Sequence, residues 1–269
     1  PMWQTWFETL GIMLALAFLT WISTFFKRNV SGVDSLWSLL FLAAAFYTTV
    51  AAPATSEKGF FLLGLIAAWA VRLSVFLAIR NWCEPEDRRY REMRERHGPG
   101  FGLRSLVTIF GLQALIAWVI FAGLLPGLYT APEYHWLDWI ALALWVTGFL
   151  YETIADLQLY IFKSKPGSDG KVLDSGFWRY TRHPNYFGEF LVWWAFFLMV
   201  LPTGAWWAVI APLIMTLLLL RVSGVGLMEK GITGRRPEYR EYIARTNAFF
   251  PGPRRAHPNH DRGTRTSAP

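Results

Sequence analysis

The chain has 269 residues, of which 54% are apolar and 17% aromatic, with 15 tryptophans, more apolar content than a soluble domain of this length uses to fill one core. Its net charge of +7 is divided among separate short stretches and never collects into one module, which argues against nucleic acid as the partner. The single cysteine, Cys83, excludes an internal disulfide and a cysteine-based metal cluster.

The first element, Trp3 to Phe26, is apolar over more than twenty residues with Glu8 as its one ionisable side chain, and it ends in Lys27-Arg28 without a small-residue cleavage site. A retained membrane span is therefore expected in place of a cleaved signal peptide. Further stretches long enough to cross about 30 Å of hydrocarbon follow at Val33 to Ala52, Gly59 to Ile79, Ser105 to Leu125, Trp136 to Phe162, Tyr186 to Leu201 and Gly204 to Val222. Pro202 and Gly204 mark either a tight turn between the last two or a break within one hairpin.

Basic residues sort between these spans. Lys27 and Arg28 lie in the first loop; Arg80, Arg88, Arg89, Arg91, Arg94, Arg96 and Arg104 in the third; Lys163, Lys165, Lys171, Arg179 and Arg182 in the fifth. The remainder, from Arg221 onward, lie in the tail, and only Lys58 and Arg72 break the alternation. Cytoplasmic loops carry the excess of Lys and Arg, so the pattern predicts an all-α polytopic membrane protein of about seven helices, N-terminus outside and C-terminus cytoplasmic. Residues 1–253 form one integral-membrane domain in this reading, and the basic segment 254–269, without apolar periodicity, is expected to be disordered.

Ionisable groups within spans are costly and normally face a partner or a cavity. Asp34 opens the second span, where an acid suits the helix dipole as well as it would suit an active role. Arg72 is expected in a cavity or an ion pair. Glu152 and Asp156, four residues apart, share one face of the fifth helix. The five histidines are scattered and no ligand spacing is present, so no metal site is expected.

The densest polar stretch is RYTRHPNYFGEF, residues 179–190, where Pro184 suits a helix start. A helix beginning there puts Asn185 and Glu189 on one face and Arg182 and His183 just before its positive end. Spacing alone leaves two readings even. Helix-end amides and cations can bind a phosphate while Asn and Glu receive an amide or a sugar, or Trp178, Tyr180 and Tyr186 anchor the helix at the headgroups while Arg179 and Arg182 touch lipid phosphate.

The segment from about Tyr151 to Pro251, with Ala155-Asp156, GFWRYTRHPNYFGE (Gly176 to Glu189), Arg221, Glu229 and EYREYIARTNAFFP (Glu238 to Pro251), resembles the C-terminal catalytic domain of the membrane steroid 5-alpha-reductase family, within a family-like region of about 105–253. The bacterial branch of that family is similar further upstream too, at VDSLW (Val33 to Trp37), WAVRLSVFLAIR (Trp69 to Arg80) and EDRRYREMRE (Glu86 to Glu95). The resemblance implies a helical bundle in a bacterial inner membrane, holding NADPH in a cytoplasm-facing cavity and receiving a lipid or steroid-like enone from the bilayer. By matching positions, Asp156, Lys163, Asn185, Glu189 and Arg221 would contact the cofactor, with Arg72, Arg80 and Asn81 helping to bind its phosphates; Arg182, His183, Glu229 and Tyr242 are further cofactor-binding candidates.

This chain departs from that pattern in its second and third spans. The Gln-Glu pair and the Tyr that grip the substrate carbonyl in characterised steroid reductases are absent, and Asp34, Tyr47 and Tyr186 are the substitutes available for catalysis. RHP followed by a tyrosine also occurs in the isoprenylcysteine carboxyl methyltransferases. An S-adenosylmethionine-dependent methyltransferase, with RHPNY, Glu229 and the Tyr239-Tyr242 pair at the methyl donor, is therefore the rival enzyme reading, and a lipid-binding membrane protein without catalysis is the third.

Overall fold

A computed structural model describes residues 1–53, 55–82, 84–130, 133–168, 170–222 and 238–255. The long helices are α1 (Met2–Lys27), α2 (Gly32–Ala51), α3 (Glu57–Arg80), α8 (Trp136–Lys163) and α9 (Pro184–Val200). Shorter helices are α4 (Arg88–His97), α5 (Phe101–Ser105), α6 (Leu112–Phe121), α7 (Leu125–Tyr129), α10 (Ile210–Leu217) and α11 (Glu238–Arg245). Among the described residues there is no β-strand beyond an isolated bridge between Thr181 and Asn247. This is an all-α, polytopic architecture. Helices satisfy their own backbone hydrogen bonds, which lipid cannot do for them.

Among the described residues, six helical stretches are long and apolar enough to cross a membrane: Met2–Lys27, Gly32–Ala51, Glu57–Arg80, Arg88–Phe121, Trp136–Lys163 and Pro184–Thr203. The seventh expected span is the shorter apolar helix Trp206–Arg221, whose rise of about 24 Å falls short of the hydrocarbon thickness. Large apolar side chains such as Phe7, Phe26, Phe46, Val107 and Trp206 stand exposed on these helices, as surfaces solvated by lipid require.

The chain divides into two compact units. The first comprises Pro1–Ala143 and Trp193–Ile214. Its core is aromatic: Phe41, Trp69, Trp193 and Phe196 meet edge to face, with ring centroids 4.9 to 6.2 Å apart. Ser38 Oγ donates to the Ala70 carbonyl at 2.8 Å and links α2 to α3. Trp6 and Trp118 stack at 3.8 Å, each indole N–H donating to the other's backbone carbonyl, and so join α1 to α6 without leaving a polar group to lipid.

Charge organises one end of this unit. Chain reversal between α1 and α2 runs through Arg28 in the left-handed region (φ 51°). Segment Glu86–Asp87 holds that turn, since Glu86 accepts the Val30 N–H at 3.0 Å and the Asp87 N–H donates to Ser31 Oγ at 2.8 Å. Arg94 grips Glu86 through both carboxylate oxygens (2.7 and 2.8 Å) and donates to the Arg28 carbonyl at 3.2 Å. Burial works against ionisation of Glu86, but the Arg94 and Val30 hydrogen bonds outweigh it and hold the carboxyl below the usual range. Asp87 is held low in the same way, burial being outweighed by Arg89.

At the N-termini of α3 and α8, Lys58 Nζ lies 2.8 Å from Asp138 Oδ1, both side chains about 5% exposed or less. Asp138 Oδ2 also accepts the His135 N–H at 2.7 Å, capping its helix. Lys58 is one of two cations outside the alternating basic loops, and this pairing neutralises it.

Removing one partner of a buried pair strands a charge, at a cost of about 3–5 kcal/mol. Asp138→Ala is expected to lower the thermal midpoint of purified protein sharply, while Lys58→Met with Asp138→Leu recovers most of the loss; equal damage in both would show that the ion pair is not the cause. For Glu86 and Asp87, folded pKa values below the unfolded ones mean stability that is complete above roughly pH 4.5 and lost as pH falls through the lower folded values. Glu86→Gln is expected to flatten the acid side of a midpoint-against-pH curve.

Candidate functional site

The second unit comprises Leu144–Val192 and Met215–Pro269. Its organising contact is glycine on glycine. A Cβ placed on Gly188 would lie 2.5 Å from the Glu152 backbone nitrogen and 2.6 Å from the Gly148 carbonyl oxygen, and one on Gly148 would lie 2.7 Å from the Gly188 carbonyl oxygen. Helices α8 and α9 therefore touch backbone to backbone, as small residues permit between membrane helices. In this antiparallel register the Glu152/Asp156 face of α8 meets the Asn185/Glu189 face of α9, and Asn185 Nδ2 donates to Asp156 Oδ1 at 3.1 Å. Glu152, Asp156, Glu189 and His183 are all buried, and Asn185 and Tyr186 are half-buried. His183 and Tyr186 stack in parallel, 5.4 Å apart.

The loop entering α9 is folded back along α8. Gly176, with φ at 59°, packs under Gln158, whose Oε1 accepts the Phe177 N–H at 3.1 Å. Phe177 stacks on Tyr151 at 4.1 Å, and buried Trp178 donates its indole N–H to the Ala155 carbonyl at 3.1 Å. The C-terminal segment then locks this loop from the other side. Arg182 N–H donates to the Asn247 carbonyl at 2.9 Å, Thr181 Oγ1 to the Phe249 carbonyl at 2.8 Å, and the Tyr242 hydroxyl to the Trp178 carbonyl at 2.5 Å. Arg182 Nη1 donates to the carbonyls of Ile243 (3.2 Å) and Thr246 (2.5 Å), closing the C-terminus of α11. Arg254 pairs with Asp174 at 2.7 Å. Burial pushes the Tyr242 phenol up and keeps it a donor.

A family model described as "Protein of unknown function (DUF1295)" matches residues 20–246. The chain belongs to this family. A relative in Schizosaccharomyces pombe, "Uncharacterized protein C594.04c", is 25% identical over 274 residues, which cover 90% of this chain and 78% of the relative. No solved structure matches. The DUF1295 region thus includes the whole α8/α9 crossing, the loop entering α9 and α11, and ends just before Asn247 and Phe249.

Within this DUF1295 chain the expected site residues fall into distinct settings. Asp156, Asn185, Glu189, His183 and Tyr186 are assembled around the crossing. Arg182 and Tyr242 lie in the same unit as members of the clamp, with Arg182 Nη1 and the Tyr242 hydroxyl committed to backbone carbonyls. Lys163 ends α8 and Arg221 ends the apolar helix Trp206–Arg221, both exposed; Glu229 lies outside the described residues. The headgroup-belt reading of residues 179–190 fits Arg179 and Tyr180, which are exposed, and does not fit Trp178 and Arg182, which are buried.

In the first unit, Asp34 accepts from Arg89 Nη2 at 3.0 Å and from the Tyr90 hydroxyl at 2.7 Å, and Gln113 hydrogen-bonds that same hydroxyl. Tyr47, thirteen positions along α2 and so about 20 Å away, donates to Glu8 at 2.8 Å. The two do not form a common acid. Arg72 is half-buried within α3, and Arg80 and Asn81 sit at its end, Arg80 Nε donating to Asn81 Oδ1 at 3.3 Å. Trp178, Thr181 and Asn247 were missed as organising residues, although each lies inside a motif already singled out.

Gly188→Ala is expected to force α8 and α9 apart, since its Cβ meets backbone atoms that cannot rotate away. It should lower the thermal midpoint strongly, whereas Gly64→Ala, with no heavy atom within 4 Å of the new Cβ, should leave it unchanged. A Gly188→Ala protein as stable as the parent would show that the helices do not meet at this point.

Proposed function

We propose that this chain is an NADPH-dependent membrane reductase of a conjugated C=C bond in a lipid or steroid-like enone. The single observation that carries the reading is the pair of buried Asp156 with half-buried Asn185 at the α8/α9 crossing, inside the segment that resembles the steroid 5-alpha-reductase catalytic domain.

The donor set fits a nucleotide in a defined way. Buried carboxylates accept from ribose hydroxyls and from a carboxamide N–H, and an asparagine amide held by Asp156 has its own carbonyl oriented to accept. Anionic phosphates would be met by Lys163 and Arg221, which are exposed in the same unit. When bound, NADPH supplies the hydride for the β carbon of the enone. The chain must then stabilise the negative charge that develops on the carbonyl oxygen. Tyr186, held against the His183 ring, is the hydroxyl we assign to that oxygen. Asp34 and Tyr47 already spend their polar atoms on Arg89, Tyr90 and Glu8.

The test is ligand stabilisation of the detergent-purified chain. At roughly a hundredfold excess over its dissociation constant, NADPH should raise the midpoint by several degrees, NADH less and S-adenosylmethionine not at all. Asn185→Ala and Glu189→Ala should fold and lose the response. Stabilisation by S-adenosylmethionine alone would replace this reading with the methyltransferase one, and no response to either would leave a lipid-binding role.

A further inference from the structure

The arginines of α4 fall into two classes. Arg89 and Arg94 are turned inward and matched, Arg89 to Asp34 and Asp87, Arg94 to Glu86. These pairs fix α4 against the α1–α2 turn. The Arg94 guanidinium also lies over the Phe101 ring, 4.6 Å from its centroid, so the start of α5 is held in the same corner. Trp21 donates its indole N–H to the Gly102 carbonyl at 2.9 Å, and a Cβ on Gly102 would lie 2.9 Å from the Phe25 ring. The last turn of α1 and the first turn of α5 are therefore in direct contact.

Around that contact stand cations of the second class. Lys27 and Arg28 at the end of α1, Arg91 on α4 and Arg104 on α5 are exposed, and no carboxylate among the described residues pairs with any of them within 4.0 Å. Exposed apolar side chains adjoin them in sequence on the same two helices: Phe26 is 80% exposed and Leu103 66%. Unmatched cations beside exposed apolar groups on two touching membrane helices have the chemistry of a phospholipid site, with a phosphate for the cations and acyl chains for Phe26 and Leu103.

We infer that this α1/α4/α5 corner binds an anionic phospholipid. Charge selects the occupant. Four exposed cations with no carboxylate within 4.0 Å among the described residues favour a headgroup of net negative charge over a zwitterionic one, in which the choline or ethanolamine cation offsets the phosphate. Exposed Phe26 and Leu103 favour a lipid over a soluble anion, because a free phosphate leaves them uncovered. None of these four cations is among the residues proposed for the cofactor, and the lipid test is read without NADPH, so its failure is distinguishable from failure of the reductase reading.

Full-length protein in zwitterionic detergent would be titrated with phosphatidylglycerol, phosphatidylcholine or inorganic phosphate while its thermal midpoint is followed. Phosphatidylglycerol is expected to raise the midpoint by several degrees and the other two to leave it unchanged, with the shift fading at high salt. Native mass spectrometry of the parent protein should show phosphatidylglycerol retained over phosphatidylcholine on the order of a hundredfold, from roughly fivefold per cation over three to four cations. The combined variant Arg28→Gln, Arg91→Gln, Arg104→Gln should lose both effects, while Arg96→Gln on the same helix and the triple Lys replacement keep them. Equal retention of the two lipids, a full shift from inorganic phosphate, or an unchanged phosphatidylglycerol response in the Gln variant would overturn the inference.

Discussion

The contact on which the second unit depends is the meeting of Gly148 and Gly188. Lipid supplies no hydrophobic force to press one apolar helix against another, so close packing and the polar bonds it permits must do so. Two hydrogens in place of two side chains let α8 and α9 approach until backbone touches backbone. Only at that separation can side chains as short as Asp156 and Asn185 reach each other, at 3.1 Å. Bulk at either glycine would therefore reach the polar cluster through helix spacing, without altering a polar residue.

The first unit solves a different problem with different means. Its acids at helix ends and turns are matched with cations: Asp138 with Lys58, Glu86 with Arg94, Asp34 and Asp87 with Arg89. Lys58 with Asp138 and Arg89 with Asp34 join chain segments that are remote in sequence, so these two pairs specify which helix end meets which. Such pairs contribute little net stability once desolvation is counted, but separating them is expensive, and that asymmetry makes them registry devices.

The parts of this architecture legible in the sequence are those governed by local period. Stretches of twenty apolar residues announced the long helices, and i, i+4 spacing put Glu152 with Asp156 and Asn185 with Glu189 on single faces before any packing was known. The last expected span, Gly204 to Val222, is found among the described residues as the shorter apolar helix Trp206–Arg221. Distant pairings were invisible for a plain reason. Nothing near Lys58 names Asp138 eighty residues later, and nothing in RYTRHP says that Arg182 caps the end of a helix some sixty residues on. Arg182 consequently read as an anion binder, when at Nη1 the anion is the partial negative charge of α11's last carbonyls.

That contrast bears on where chemistry resides. In the first unit each buried or half-buried acid named above meets a cation, and structural pairing is sufficient reason for it. At the α8/α9 crossing, Asp156 accepts from the Asn185 amide. Glu152, Glu189 and His183 are buried in the same unit around that crossing. A glycine-mediated helix contact needs none of these groups, since apolar neighbours would close it at lower desolvation cost. In the function proposed above, these are the groups that would exchange hydrogen bonds with the cofactor. The clamp built from Tyr242, Thr181 and Arg182 then has a purpose beyond tidying a loop: it fixes the entry of α9, and with it the direction in which Asn185 and Tyr186 project.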